Sequence, residues 1–385
     1  MYLARSTAEY KIDGRSRPGF PILLWDDMSS CWEANEFLRY YLSRGSIGSK
    51  KSWRPTGQAI YDFFGFLQAH ELAWNDVDRG EQKDLVGAYR DYCLDTVKQE
   101  RSTVRQRLIY VIAFYKFAAS KGWISKIPFE YERRRAPNSS AFLAHIDASG
   151  NMREVASPMP RARRKLIKYL TRHQANALTA AAVNPHHRMI IRLALGSGLR
   201  REELATFPAS YVANAQGSGP ATKNVRIVLD PCDGTGMKTK GDKPRAIFIP
   251  RGLMDELHHY LVHWRGERAS LSDEDRKPLF LTQAGRPWAD AGKGIEAMIR
   301  TVGAKVGIAA YPHMLRHTYA TQTLVTLLQH RKTNRIEPVV FLQRQLGHSN
   351  IATTMAYLHL VNELADDAQL AYGEELMALL MEDDK

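Results

Sequence analysis

The sequence predicts a mainly α protein in two domains, a helical one followed by an α+β one that carries a small antiparallel β-sheet. Three observations carry this reading. The chain has 385 residues, more than one hydrophobic core comfortably organises. Apolar residues recur at helical spacing through most of it, and only two short stretches alternate with the period of a strand. Between residues 132 and 168 the composition turns basic and rich in Ser, Asn and Pro, which marks a boundary.

Residues 1–27 hold Gly14, Pro18, Gly19 and Pro21 without helical period and read as an extended arm. A helical domain follows over 28–131. Its stripes are Trp32, Phe37, Leu38, Tyr41 and Leu42, then Ile60, Phe63, Phe64 and Leu67, then a stretch near 82–98. Val104, Leu108, Val111, Ile112, Tyr115 and Phe117 complete the four. The linker, 132–168, contains Arg133, Arg134 and Arg135, then Arg161, Arg163, Arg164 and Lys165.

The second domain, 169–361, opens with helical patterns near 171–183 and 185–207. Val225, Ile227 and Leu229, and then Ala246, Phe248 and Pro250, alternate as strands around a turn at Gly241-Asp242. Helices are expected near 253–268, 294–306, 315–329, 338–346 and 351–359. Residues 362–385 are expected to form a last amphipathic helix with an acidic tail.

Charge points to the partner. There are 54 Lys and Arg against 41 Asp and Glu, a formal charge of +13, which favours a polyanion because each neutralised phosphate releases counterions. No apolar run approaches the roughly 18–20 residues of a membrane span, and the N-terminus lacks a secretory signal. A cytoplasmic, nucleoid-associated protein with no membrane partner is the expectation. Cys31, Cys93 and Cys232 are odd in number and far apart, which fits neither a disulfide framework nor a zinc site, so reduced, buried thiols are expected.

Four segments hold polar residues where packing alone asks for few. In Gly196-Ser-Gly-Leu-Arg-Arg-Glu-Glu-Leu204, Arg200 follows two glycines and Glu203 lies on its helical face. Lys238-Thr-Lys-Gly-Asp-Lys-Pro-Arg245 is a hairpin turn studded with cations. Each of these two is weak alone. In Tyr311-Pro-His-Met-Leu-Arg-His-Thr318, Pro312 opens a helix and puts His313 and Arg316 on one side. In Leu346-Gly-His-Ser-Asn-Ile-Ala-Thr-Thr-Met-Ala-Tyr357, Gly347 ends one helix, Ser349 or Asn350 caps the next, and Tyr357 comes nine residues after His348.

Taken in order, Arg200, Lys240, His313-x-x-Arg316, Leu346-Gly-His348 and Tyr357 resemble the catalytic constellation of the tyrosine recombinase family of phage integrases, Cre and the Xer proteins. The resemblance covers most of the chain, with residues 28–131 similar to the family's core-binding domain. It implies a DNA-breaking and rejoining enzyme that needs neither metal nor other cofactor. Its partner is double-stranded DNA with a specific recombination site, on which the family assembles tetramers, with accessory proteins in some systems and with the C-terminal segment passed between protomers.

The chemistry accounts for the residue types. Attack of a tyrosine hydroxyl on a phosphodiester builds negative charge on the non-bridging oxygens, which Arg200 and Arg316 can clamp with planar, permanently charged forks. His348 can add a hydrogen bond to the phosphate. His313 can accept or relay the tyrosine proton, while neighbouring His317 reads as a helix-face residue with a structural hydrogen bond. The resemblance assigns Lys240 the protonation of the departing 5′ oxygen, with Lys238 and Lys243 as alternative registers. It makes Glu203 the acid that orients Arg200, and Tyr357 the nucleophile that keeps the bond energy in a covalent 3′ phosphotyrosine. Arg133 to Arg135, Arg161, Arg163, Arg164 and Lys165 are candidate phosphate contacts. His259 and His263, at i and i+4, lack a third metal ligand in the sequence and read as an exposed face. A type IB topoisomerase and a non-catalytic DNA-binding protein of the same fold are the competing readings.

Overall fold

The computed structural model describes residues 1–44, 49–80, 83–135, 152–162, 166–214, 223–272, 277–329 and 337–361. The chain divides into two compact units, residues 1–165 and 166–385.

Residues 1–27 are part of the first unit's framework rather than a free arm. β1 (Tyr2–Arg5) pairs antiparallel with β4 (Pro21–Leu24), Tyr2 facing Leu24 and Arg5 facing Pro21. Between them β2 (Lys11–Ile12) and β3 (Arg15–Ser16) form a tight hairpin. Asp13 and Gly14 at its tip have φ of 50° and 73°, the left-handed pair that an Asp-Gly hairpin turn supplies. Phe20 and Leu23 then enter the helical core. The buried Asn35 side chain bonds both the Leu23 N–H and its carbonyl at 2.8 Å, which fixes β4 to the first helix.

The helices of this unit are α1 (Trp32–Leu42), α2 (Trp53–Ala69), α3 (Leu85–Asp91) and α4 (Arg101–Ser120). Their apolar stripes meet in one aromatic-rich core with Phe37, Phe63, Phe64, Tyr89, Phe114 and Tyr115. β4 crosses α2 so closely that a Cβ at Gly57 would lie 2.5 Å from Pro21, so glycine is the residue that fits. The basic run of the expected linker is a strand: β5 (Tyr131–Arg135) pairs antiparallel with β6 (Met152–Ala156), and Ala156 and Met159 join the core.

The second unit begins with α5 (Arg172–Ala181), started by a Thr171/Gln174 capping box, and α6 (Pro185–Ser197), started by Asn184 with Pro185 in its first turn. α7 (Arg201–Ala205) follows after a three-residue break. β7 (Asn224–Leu229) and β8 (Arg245–Pro250) pair antiparallel with Leu229 opposite Arg245 and Ile227 opposite Ile247. β8 is turned over relative to the sequence expectation: Ile247 and Ile249 are buried, while Phe248 faces out and stacks on Phe341 at 5.9 Å. α8 (Arg251–His263), α9 (Arg265–Ala269), α10 (Lys293–Ala304), α11 (Pro312–Gln329), α12 (Pro338–Leu346) and α13 (351–361) complete the unit.

Gln345 of α12 joins that helix to the sheet edge, accepting from the Phe248 N–H at 2.8 Å and donating to its carbonyl at 3.0 Å. Among the described residues no helix is long and apolar enough to cross a membrane. Cys31 and Cys93 are buried as expected, but Cys232 is exposed, because it lies in the polar turn after β7. The expected helix over 362–385 lies outside the described residues.

Candidate active site

Two glycine-stopped helices make the floor of the site. α6 ends at Gly198, left-handed at φ 67°, where a Cβ would sit 2.5 Å from the Tyr319 ring. α12 ends at Gly347, left-handed at φ 64°, where a Cβ would sit 2.6 Å from Arg245. Only glycine takes both the conformation and the space. The carbonyls exposed at these two ends are gathered by Arg316 of α11. Its guanidinium, 2% exposed, donates to Gly198 O and Leu346 O, each at 2.6 Å, and to His348 Nε2 at 3.2 Å.

Arg200 caps the start of α7 and donates to Gly347 O at 3.1 Å. Glu203, one turn on and 1% exposed, accepts from the Arg200 N–H at 2.7 Å and from its guanidinium at 3.0 Å. The same carboxylate is gripped from its other side by Arg245 of β8, with two parallel bonds of 2.7 Å. Burial alone would raise the Glu203 carboxyl, but the hydrogen bonds and charge of Arg245, together with Arg200, outweigh it and hold it at about 2. Burial and the neighbouring Arg200 push Arg316 down to about 9, which still leaves it charged at neutral pH.

His348 completes this group. Arg316 can only donate, so Nε2 accepts; the ring's proton is thereby assigned to Nδ1, which donates to Thr354 Oγ1 at 3.0 Å. Burial and the charges of Arg316 and Arg200 press the ring down to about 3, so it is neutral. Tyr357 of α13, 2% exposed, lies parallel to the His348 ring with centroids 6.3 Å apart. Its hydroxyl meets His317 Nδ1 at 2.7 Å. Burial raises the phenol's pKa despite the opposing pull of Arg316 and Arg200.

Arg200, Glu203, Arg316, His348 and Tyr357 thus lie together in one cluster. His313 stands on the same helix face but exposed, with its ring on that of His317 at 4.3 Å rather than on the phenol. Lys240 lies in the turn between β7 and β8, exposed like Lys238 and Lys243, with Gly241 and Asp242 both left-handed beside it. An open cleft of about 590 Å³ beside the site is lined by Arg226, Arg245, Phe248, Arg344 and His348.

Two residues escape the sequence reading. His317 is read there as a helix-face residue, yet it touches the tyrosine hydroxyl. Its place four residues after His313, on the same face, is the signal available. Arg245 stands at the end of the cationic hairpin motif, but only the strand pairing brings it to Glu203.

In the basic linker Arg133 and Arg161 are exposed. Arg134 is tied to Glu132 at 2.8 Å and to Ser157 O at 3.0 Å, a role in holding the strand pair. The Arg135 side chain, Arg163, Arg164 and Lys165 lie outside the described residues. The His259 and His263 rings lie 4.4 Å apart on α8, tilted at 40° to each other, and among the described residues no three His, Cys, Asp or Glu gather as a metal-ligand set.

The model of the phage integrase family matches residues 168–363. The chain is similar to tyrosine recombinase XerA of Thermococcus kodakarensis, 29% identical over 301 residues that cover 75% of this chain and 95% of that protein. It is similar also to transposase A from transposon Tn554 of Staphylococcus aureus, 23% identical over 342 residues, covering 85% and 87% of the two. Among solved structures, the Tn1549 transposon integrase in complex with transposon right end DNA shares the fold with a TM-score of 0.58 at 15% identity, covering 85% of this chain and 93% of that one.

Proposed function

This chain belongs to the phage integrase family, and on that premise we propose that it is a tyrosine-type site-specific recombinase, breaking and rejoining duplex DNA through Tyr357. The observation that carries the reading is the convergence of three separate segments, 198–203, 312–317 and 346–357, about one buried phenol. Arg200 and Arg316, fixed by Glu203 and by helix-end carbonyls, lie beside a tyrosine stacked on His348.

The two guanidinium groups hold the non-bridging oxygens of the scissile phosphate and stabilise the charge that grows there, in a site already oriented for it. A phosphate arriving between them offsets their field on His348, which lowers the cost of protonating that ring and lets Nε2 donate to the phosphate. Tyr357 attacks phosphorus, the bond to the 5′ oxygen breaks, and Lys240 at the hairpin tip supplies that oxygen with a proton. The 3′ phosphotyrosine preserves the bond energy, so rejoining needs no nucleotide hydrolysis. The chain acts on double-stranded DNA in the nucleoid as a tetramer on two recombination sites, joined through residues 362–385.

A nicked suicide substrate tests the nucleophile. Wild type should become covalently attached on the 3′ side of the break, and Tyr357→Phe should bind the same DNA without attaching. An adduct with Tyr357→Phe assigns the chemistry to another residue.

A further inference from the structure

A tyrosine nucleophile must lose its proton as it attacks, and the residue the sequence pattern offers for this, His313, is not the one in contact with it. Among the described residues, the Tyr357 hydroxyl is bonded to His317 Nδ1 at 2.7 Å. The His313 ring packs instead on the far partner of that pair, 4.3 Å from His317 and inclined at 65°. A buried O–H requires an acceptor. Nδ1 is in place to be that acceptor, which assigns the bare nitrogen of the neutral ring to the side facing the phenol.

We infer that His317 takes the proton of the Tyr357 hydroxyl during strand breakage and returns it during rejoining. The inference rests on the reading of Tyr357 as the nucleophile. The O–H bond of Tyr357 breaks while its oxygen bonds to phosphorus, and the proton passes to His317 Nδ1. The bond from phosphorus to the 5′ oxygen breaks, and that oxygen leaves with the proton from Lys240. Rejoining runs both transfers backwards, so atoms and charges balance without a further reactant.

The surroundings make this base dependent on substrate. The groups that face it are His313 and Arg316 on its own helix, His348 from the turn after α12, and Tyr357 from α13. Burial, His313 and Arg316 hold the ring down to about 4, so in the absence of DNA it is a poor acceptor and the phenol keeps its proton. An anion seated on Arg316 offsets that repulsion and strengthens the base. The nucleophile is therefore activated by the phosphate it is to attack, and stays inert without it.

The test is single-turnover cleavage of the nicked substrate by wild type, His317→Ala, His317→Asn and Lys240→Ala. Each is measured on the natural phosphodiester and on a 5′-bridging phosphorothiolate, whose thiolate leaves without a proton donor. His317→Asn keeps an acceptor for the hydroxyl but cannot take the proton. Both His317 variants should bind DNA as wild type does and form adduct about 10²–10⁴-fold more slowly. On the phosphorothiolate they should remain at least about tenfold slow, whereas Lys240→Ala should recover. Cleavage by His317→Asn within about threefold of wild type would reduce His317 to a positioning residue and overturn the inference, as would full recovery of His317→Ala on the phosphorothiolate. Tyr357→Phe on both substrates separates the two readings, since an adduct there refutes the nucleophile and not the base alone.

Discussion

Replacing Glu203 by Gln keeps the shape of the side chain and removes the charge that two arginines share. In the folded protein the carboxyl is held at about 2 against its ordinary 4.5, a difference that corresponds to roughly 3 kcal/mol of stability. A folded-state value below the unfolded one means this stability is present above the unfolded pKa and is lost as pH falls through the folded pKa. The wild type should therefore exceed Glu203→Gln by roughly 3 kcal/mol at pH 7, within the range of about 3–5 kcal/mol expected when one member of a buried ion pair is removed. The gap should narrow between about pH 5 and about pH 2. Urea unfolding of the full chain, followed by circular dichroism across that range, measures it. Arg245→Met should cost less in the Glu203→Gln background than alone, because both remove the same bidentate pair. Equal stability of wild type and Glu203→Gln at pH 7, or a gap that stays constant down to pH 2, would refute the assignment of Glu203 as the charge that organises the site.

The clamp and the assembly make two further predictions. Arg200→Lys and Arg316→Lys keep a charge but lose the planar fork, so adduct formation should fall about 10²–10³-fold with DNA binding little changed; a near-normal rate removes that arginine from the phosphate. Arg316→Lys should also lower the melting temperature, because it gives up the bonds to Gly198 O and Leu346 O. Deleting residues 362–385 should leave single-site binding intact in a gel shift while abolishing synapsis and recombination of paired sites, and normal recombination by the truncated chain would move the assembly contact elsewhere.

Much of the site is legible because its residues sit at helix boundaries that announce themselves locally. Gly198 stops α6 just before Arg200, Pro312 starts α11 just before His313, and Gly347 stops α12 just before His348. What is not legible depends on long-range register. Arg245 reaches Glu203 only because β8 pairs with β7 so as to set Leu229 opposite it, and an alternation of apolar residues does not say which face of β8 is inward. Helical period places His313 and His317 on one face without saying which of them meets α13. The Asp13-Gly14 hairpin is a local signal, but it is set among glycines and prolines that look like those of an unstructured arm.

The same helix ends explain how a buried arginine can wait for a phosphate. Arg316 is 2% exposed and lies near Arg200, and both facts disfavour its charge. What stabilises it is a pair of carbonyls at the C-terminal ends of α6 and α12, where unsatisfied C=O groups and the helix dipole concentrate partial negative charge. Those carbonyls turn toward Arg316 because each chain leaves its helix through a left-handed glycine. The glycines of the two motifs are therefore parts of the charge site. They hold the guanidinium in place through neutral dipoles, which fix its orientation without cancelling its charge as a carboxylate would. Glu203 supplies full negative charge, but it is shared by Arg200 and Arg245, so that cluster too keeps a net positive charge. Preorganised positive charge with little reorganisation left to do is what a transition state of growing phosphate charge requires.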